Sequence, residues 1–411
     1  MTTRTELGIG ADVLAGTCAI AIGIGLARFD FSILAKQMAT AGWIDTASIG
    51  DLSGGNLIGY LIGCFHQSRL RRHQHVLGVI ALALVLTVVS MLAEGFWSST
   101  GSQAVWRFVG GWAAAQLMTG VPSLALRRVP ARQLRLSTAI VMGGAGLGGL
   151  LGALAVGLFA PSSPRLAWIL LAGLSLLLSL PIVALLLRNR RHPPVSPASP
   201  KGQPGPSPGQ THRAVWPAGL ILLAAAYAVA AMGSVPSVFY EPLLLSQRFG
   251  AGPVADSHGL AIFGAGAMGG SLLVVCLPRA WATRHCLVGV ALAGVAAAAL
   301  FAWGESQELV VLGSFLLGCW TWMIVSLTHL RIHDFVPSQA HRRCWATCTL
   351  LYGLGLMLVS FASSGLASSN LQLVLVICLG LILLHAVLEL LQCRAPALPD
   401  QGLPLRTAGD R

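Results

Sequence analysis

The strongest constraint on this chain is the recurrence of apolar segments about 20 residues long, the length an α-helix needs to cross the hydrocarbon core of a bilayer. We count twelve such segments, separated by short polar connections. Because irregular backbone cannot face lipid, each segment is predicted to be a transmembrane helix, here called a span. The twelve spans begin near Asp12, Ala47, Val76, Gln103, Leu136, Leu166, Val215, Ser257, His285, Leu309, Cys344 and Asn370.

The composition excludes a soluble globular protein. Of the 411 residues, 55% are hydrophobic and only 10% are charged, against about 25% charged residues in ordinary soluble domains. The net charge of +12 is spread over short basic clusters between apolar runs rather than along one continuous stripe. Nucleic-acid binding is therefore not expected.

Residues 188–213 are rich in Pro, Gly and Ser, which is typical of an extended linker without a core of its own. The linker divides the chain into an N-terminal six-span unit, 1–187, and a C-terminal six-span unit, 214–393, followed by a polar tail, 394–411. The sequence thus predicts an all-α membrane protein with two six-helix bundles.

The two units resemble each other in sequence, which indicates a duplication and predicts pseudo-symmetric bundles. Several residues of the first unit recur 207 positions later in the second, in the same order. The matched pairs are Val129 and Val336, Pro130 and Pro337, Arg135 and Arg342, Ala139 and Ala346, and Gly146 and Gly353. Parallel repeats of this kind are the plan of the major facilitator fold.

Most of the 26 Lys and Arg residues lie in the linker, the termini and the connections on the same side of the membrane. The positive-inside rule makes this the cytoplasmic side and places both termini there. Basic residues are nearly all Arg, which is typical of a GC-rich bacterial genome. We therefore expect a multi-pass monomer of the bacterial inner membrane, with lipid around it.

The segments Gly23–Phe29 and Gly50–Leu61 carry a family resemblance. They contain Arg28-Phe29 near the end of span 1 and an Asn-x-x-Gly-Tyr motif, Asn56 to Tyr60, in span 2. The chain resembles the YbfB/YjiJ-type branch of the major facilitator superfamily. This resemblance implies an inner-membrane transporter of twelve helices, built as two bundles around a central cavity bordered by spans 1 and 4.

Two further motifs are similar to patterns of the superfamily. Span 4 contains Arg107, Gly111 and two following alanines, which resembles a pattern of its proton-coupled exporters. The connection after span 2 keeps Gly63, Arg71 and Arg72 of a cytoplasmic latch, but Gln67 replaces the usual acid. These residues act either as that latch or only as a positive cluster that sets the topology.

Four charged residues fall within or at the ends of spans 1, 2 and 4: Arg28, Asp30, Asp51 and Arg107. Arg28 and Asp30 are two apart on a helix and cannot easily pair with each other. We expect Asp30 to pair with Arg107, leaving Arg28 and Asp51 to pair with each other or to meet solvent. The pair of Asp30 and Arg107 either couples transport to protons or is a static ion pair that holds the bundle together.

The other candidate residues lie in spans 2, 4, 5 and 7. Asn56 and Tyr60 share one face of span 2 and either form an interhelical hydrogen bond or line the pore. Gly111 and Gly146 are predicted at helix contacts. Tyr240 and Glu241 end span 7, and solvation at the membrane interface is expected for Glu241.

Solvation at the interface is also expected for Glu94 and Glu389. His333, Asp334 and His341 fall in a predicted cytoplasmic loop, and no metal site is expected there. No cofactor is expected either, since the Gly-rich stretch of span 5 is no phosphate loop: it lacks the Lys-Ser/Thr ending.

The function that fits these features best is a secondary transporter working by alternating access. Coupling to the proton gradient is expected. The chain lacks a nucleotide-binding motif, so ATP is not expected to drive transport. Arg28 and Arg107 favour a small organic anion as substrate. The alternatives are a membrane-embedded lipid-modifying enzyme and a transporter-like sensor. The first would need polar clusters at the membrane face, and the second a signalling domain.

Overall fold

The computed structural model describes residues 2–45, 48–159, 163–191, 216–250, 253–278 and 281–395. All regular elements within these ranges are helices. They form the twelve spans, which confirms the predicted all-α architecture. Eight of them are long and apolar enough to cross a membrane by length and composition alone. The other four are spans 2, 4, 7 and 8. Spans 2 and 4 carry glycines and polar residues that pack against other helices, and the apolar helices of spans 7 and 8, Ala218–Gly233 and Ala261–Cys276, are shorter than the criterion requires.

The first unit contains spans 1 to 6. Span 1 is a composite of Thr2–Ile20, a π-helical segment Ala21–Phe29 and Phe31–Thr40; the others are Ser48–Arg69, His73–Phe96, Thr100–Ala125, Ala131–Phe159 and Pro164–Arg191. Span 1 therefore begins well before Asp12, and span 6 continues past the predicted boundary at residue 187.

The second unit contains spans 7 to 12. Span 7 is a composite of Ala218–Gly233, a π-helical segment Pro236–Tyr240 and Glu241–Phe249; the others are Pro253–Leu273, Thr283–Trp303, Gln307–Ile332, Ser338–Ser369 and Leu371–Cys393. The linker from 192 onward and the tail beyond 395 lie outside the described residues. The end of the molecule where span 6 finishes is called the linker side below.

Span 2 packs against span 4 by direct backbone contact at two glycines one turn apart. A Cβ atom on Gly59 would collide with the carbonyl group of Phe108, and one on Gly63 would lie 2.7 Å from the carbonyl oxygen of Trp112. Small residues four apart allow this close approach between membrane helices. The contact sets the spacing of the two helices that hold the candidate charges.

The second unit repeats the contact 207 positions later. A Cβ atom on Gly266 would collide with the carbonyl oxygen of Phe315, and one on Gly270 with the backbone of Cys319. Spans 8 and 10 thus meet through the equivalent residues of spans 2 and 4. The equivalence extends to spans 1 and 7, which are both interrupted by a π-helical segment at corresponding positions.

The two units meet where span 5 lies against span 8. A Cβ atom on Gly146 would approach the backbone nitrogen of Met268 to 2.6 Å and the carbonyl oxygen of Gly264 to 2.7 Å. Gly111 lies within the first unit, directly against the backbone of Asn56 in span 2. Both glycines therefore lie at helix contacts.

We expect Gly111→Leu and Gly146→Leu to destabilise the protein by about 1–3 kcal/mol each, because the added side chain overpacks a backbone contact. The measurement is the fraction of monodisperse protein left after heating in detergent. Gly157→Leu is the matched control in span 5, since a Cβ atom at Gly157 meets nothing within 4 Å. Equal heat resistance of all three variants would contradict the prediction.

Candidate functional site

A cavity of about 130 Å³ lies between the two units, near the middle of the spans. Both units contribute to its wall. The first supplies Ile24, Arg28, Phe29, Tyr60 and Met118; the second supplies Tyr227, Ser234, Phe263, Thr321, Trp322, Val325, Thr349, Tyr352 and Leu356. The wall is aromatic with a few hydroxyl groups, which is the usual character of a site for a small organic molecule.

Arg28 is the one charged side chain among these lining residues. Its guanidinium carbon lies 5.3 Å from the centroid of the Tyr60 ring, which is buried. Cation–π contact of this kind holds a guanidinium group while leaving its N–H donors free for another partner. Arg28 is therefore placed to meet an anionic group in the cavity.

Phe29 joins the two units at the cavity wall. Its ring makes edge contacts with Phe263 and Trp322 of the second unit, each at a centroid distance of 6.4 Å. Movement of one unit relative to the other must change these contacts, and the neighbouring Arg28 moves with them.

Asp30 points away from the main cavity and is 1% exposed. Its carboxyl group lies directly against Gly152 of span 5, where a Cβ atom would occupy its place. The Oδ2 atom has no hydrogen-bond partner among the described residues. Asp30 also lines a small cavity whose other wall includes Gly264 of span 8, so the carboxyl group lies at the boundary between the units.

The expected pairing of Asp30 with Arg107 is wrong for this structure. Arg107 donates from Nη1 to the carbonyl oxygen of Ala27 at 2.9 Å, and its Nε atom lies 3.9 Å from Oε1 of Glu94. Its guanidinium carbon lies 3.8 Å from the centroid of the Phe31 ring. Arg107 is thus held by spans 1 and 3.

Glu94, Glu241 and Glu389 are not solvated at the interface as expected: they are 2%, 2% and 0% exposed. Glu241 and Glu389 each accept one side-chain hydrogen bond, Glu241 from another helix and Glu389 from its own. Ser314 of span 10 donates to Oε2 of Glu241 at 2.5 Å, and Gln392 donates to Oε2 of Glu389 at 3.4 Å.

The contact of Ser314 with Glu241 repeats that of Arg107 with Phe31. Ser314 follows Arg107 by 207 positions, and Glu241 follows Phe31 by 210. The same place between the first and fourth spans of each unit thus holds a buried cation in one unit and a buried acid in the other. Tyr240, beside Glu241, shares a hydrogen bond of 2.8 Å with Ser363 of span 11.

Asn56 forms an interhelical hydrogen bond, and Tyr60 lines the cavity. Asn56 donates from Nδ2 to the carbonyl oxygen of Arg107 at 3.0 Å, an interhelical bond between spans 2 and 4. Tyr60 lines the central cavity. Asp51 is exposed near the start of span 2, so it is not part of the buried group of charges.

The linker side is closed by an arginine latch, which consists of Arg135, Arg342 and Arg343 and the carbonyl groups they bind. Arg342 donates to the carbonyl oxygens of Gln67 at 3.1 Å and Leu70 at 2.8 Å, and Arg343 donates to that of Ser68 at 3.0 Å. These bonds join the start of span 11 to the end of span 2, across the units.

Arg135 makes the pseudo-symmetric half of the latch. It donates to the carbonyl oxygens of Leu277 at 3.2 Å and Trp281 at 3.3 Å, and so joins the start of span 5 to the end of span 8. Arg135 and Arg342 are 207 positions apart, as are Leu70 and Leu277.

The expected latch residues lie elsewhere. Arg71 and Arg72 are exposed, and Gly63 is buried against span 4, where Gln116 donates to its carbonyl oxygen at 2.9 Å. The latch in this structure therefore uses backbone carbonyl groups at the end of span 2. Its side chains were missed because Arg135 and Arg342 resemble ordinary topology-setting arginines in sequence, although their equal spacing in the duplication marks them.

A larger groove of about 800 Å³ lies between spans 3 and 6. Its lining includes the exposed apolar residues Val85, Leu176 and Leu187. An exposed apolar wall on a membrane protein faces lipid. This groove therefore belongs to the lipid-facing surface, and the site between the units is the candidate site for a solute.

Comparison with known proteins agrees with this geometry. Residues 20–390 match the family described as uncharacterised MFS-type transporter YbfB. No curated protein matches the chain.

Two solved structures share the fold. The proton:xylose symporter XylE, of the major facilitator superfamily, has a TM-score of 0.75 and 12% identity over 96% of this chain and 97% of its own. The human organic anion transporter MFSD10 (TETRAN) has a TM-score of 0.62 and 18% identity over 94% of this chain and 98% of its own. From its matched sequence and its twelve-helix fold, the chain belongs to the YbfB-type family of major facilitator superfamily transporters.

Proposed function

We propose that this protein is a secondary active transporter that moves a small organic anion across the membrane by alternating access, coupled to protons. The observation that carries the proposal is the cavity between the two units, whose aromatic wall contains Arg28 as its charged lining residue. XylE is a proton symporter by name and MFSD10 an organic anion transporter, and both share the fold.

The substrate site is Arg28 with the surrounding aromatic rings. A guanidinium group offers several N–H donors to a carboxylate, phosphate or sulfate group. The rings of Tyr227, Trp322 and Tyr352 would cover the apolar part of the same molecule. We therefore favour an anion with an apolar body over a sugar or a cation.

We expect Arg28→Gln to weaken anion binding about tenfold or more, because a charge-assisted hydrogen bond contributes about 1.5–3 kcal/mol. A panel of radiolabelled organic anions is tested for uptake into proteoliposomes, and the affinity of the best substrate is then compared between variants. Arg28→Lys should retain part of the affinity, and Arg165→Gln, at an exposed position, is the control. Unchanged affinity in Arg28→Gln would place the anion elsewhere.

Asp30 is the proposed proton site. Its carboxyl group lies at the boundary between the units and has no cation partner in the described part of the chain. An acid at such a boundary changes its surroundings when the units move, so that it can bind a proton in one state and release it in the other. The alternative is a purely structural role in the packing of spans 1 and 5.

We expect Asp30→Asn to abolish proton-linked transport while leaving protein in the membrane, because an amide cannot exchange the proton. Substrate uptake is measured in proteoliposomes with and without an imposed pH gradient, together with a pH-sensitive dye inside. Asp51→Asn is the control, because Asp51 is exposed. If Asp30→Asn transports with the wild-type dependence on the gradient, Asp30 is not the coupling acid.

The arginine latch would hold the linker side closed in one of the two states. Opening exchanges its hydrogen bonds for bonds to water, which is available at the membrane surface. Alternating access then requires that the hydrogen bonds of the latch break and re-form in each cycle. The contacts of Phe29 with Phe263 and Trp322 at the cavity wall would change in the same cycle.

We expect Arg342→Gln to favour opening of the linker side, because the planar guanidinium group that spans two carbonyl groups is lost. The measurement is alkylation by a polar maleimide of a chain whose only cysteine is Cys348, which is buried between the latch and the cavity. The labelling rate should rise several-fold, and Arg71→Gln, at an exposed position, should leave it unchanged. Equal rates in all three proteins would contradict a gating role.

A further inference from the structure

Three histidines meet at the linker-side end of span 10. His329 lies in the last turn of that span, His333 caps it, and His341 lies in the first turns of span 11. One ring nitrogen from each residue can be chosen so that all three lie within 4.8 Å of one another. Sequence alone places His333 and His341 in a loop and leaves His329 within an apolar run, so this cluster is a finding of the structure.

The rings are closely packed and poorly hydrogen-bonded. The ring centroids of His333 and His341 are 3.8 Å apart and those of His329 and His341 are 4.5 Å apart. His329 is 0% exposed, and neither of its ring nitrogens has a hydrogen-bond partner among the described residues. Buried polar atoms without partners are unfavourable, and a ligand that binds them removes the cost.

We propose that His329, His333 and His341 form a binding site for a divalent transition metal such as Zn²⁺. Imidazole nitrogen is a preferred ligand of Zn²⁺, Ni²⁺, Cu²⁺ and Co²⁺. Two histidines four apart on a helix share one face, and the third comes from the next helix. The fourth position is left for water.

A backbone carbonyl group beside the cluster orients one of the three proposed ligand rings. The Nε2 atom of His341 lies 3.0 Å from the carbonyl oxygen of His329; when this nitrogen donates, Nδ1 carries the lone pair. A second hydrogen bond of this kind typically orients a metal-binding histidine.

The two neighbouring cations, Arg331 and Arg342, already have other partners, and Arg342 binds the carbonyl oxygens of Gln67 and Leu70. Arg331 donates from Nη1 to Oδ2 of Asp334 at 2.7 Å and from Nε to Gln392 at 3.1 Å. The approach required of the rings is small: nitrogens around a tetrahedral Zn²⁺ lie about 3.4 Å apart, so the widest pair must close by roughly 1.4 Å. The rings of His333 and His341 are stacked at 15° to each other, so at least one of them must also rotate for both lone pairs to point at one ion.

The site would connect the end of span 10 to the start of span 11. His341 directly precedes Arg342 of the arginine latch. A metal ion there would fix the turn between the two spans and so stabilise the fold. This effect on stability can be measured without any transport assay, and the proposal does not depend on the substrate.

The test uses the full chain, purified in detergent through an affinity tag without histidines and treated with a chelator. Titration with Co²⁺ should give a visible absorption band that saturates at one equivalent per chain, and Zn²⁺ should displace it. His333→Gln and His341→Gln should each weaken binding at least tenfold. The matched control is His385→Gln, since His385 is also buried but lies in span 12 and contacts the carbonyl oxygen of Ala226.

The melting temperature gives a second readout on the same proteins. Zn²⁺ should raise it in the wild type and in His385→Gln, but not in His333→Gln, whose position is half-buried. Should His329→Gln fail to fold, the Co²⁺ spectrum of the wild type and of the other two variants still decides. A wild type without a saturable band, or variants that bind as tightly as the wild type, would overturn the proposal.

Discussion

The arrangement of the first unit depends on a guanidinium group that keeps its charge inside span 4. Arg107 is 3% exposed and lies in a helix that the bilayer surrounds, so its N–H groups must find partners within the protein. The carbonyl oxygen of Ala27 accepts a hydrogen bond from Nη1, the Phe31 ring covers the group, and the carboxyl group of Glu94 lies 3.9 Å from Nε, within ion-pair distance but too far for a hydrogen bond. Spans 1, 3 and 4 are held together in consequence, and Asp30 is left without this cation.

The duplication has preserved geometry and changed chemistry. The backbone contacts of Gly59 and Gly63 recur at Gly266 and Gly270, so the two units keep the same spacing between their second and fourth spans. The position of Arg107 is held by Ser314 in the second unit, where the partner is Glu241. The symmetric frame therefore carries different charges in its two halves, a buried cation in the first unit and a buried acid in the second.

The sequence predicted the features that follow from periodicity and spacing. Twelve spans, the duplication and the helix contacts of Gly111 and Gly146 all depend on composition along the chain. The pairing of Arg107 was missed because equal depth in the membrane does not determine which side of a helix a residue faces. Solvation was predicted for Glu94 because it lies near the end of span 3.

The environment of Glu94 depends on residues that are distant along the chain. Gln103 donates to the carbonyl oxygens of Glu94 and Trp97 and closes the turn above it. The same limit explains the histidines: His329 is one polar residue in an apolar helix, and only packing of span 11 against span 10 brings His341 to it. Contacts between spans are thus the part that sequence patterns leave open.

The arginine latch shows how a closed state can be made reversible without an acidic partner. Carbonyl groups at the C-terminal end of a helix carry partial negative charge, and Arg342 binds two of them at the end of span 2 in place of a carboxylate. A hydrogen bond with one charged partner contributes about 1.5–3 kcal/mol, and water replaces much of it when the latch opens. The closed and open states can therefore differ by only a few kcal/mol. A substrate can shift such an equilibrium with a differential affinity of the same size, and in the proposed mechanism the contact of its anionic group with Arg28 would provide that difference.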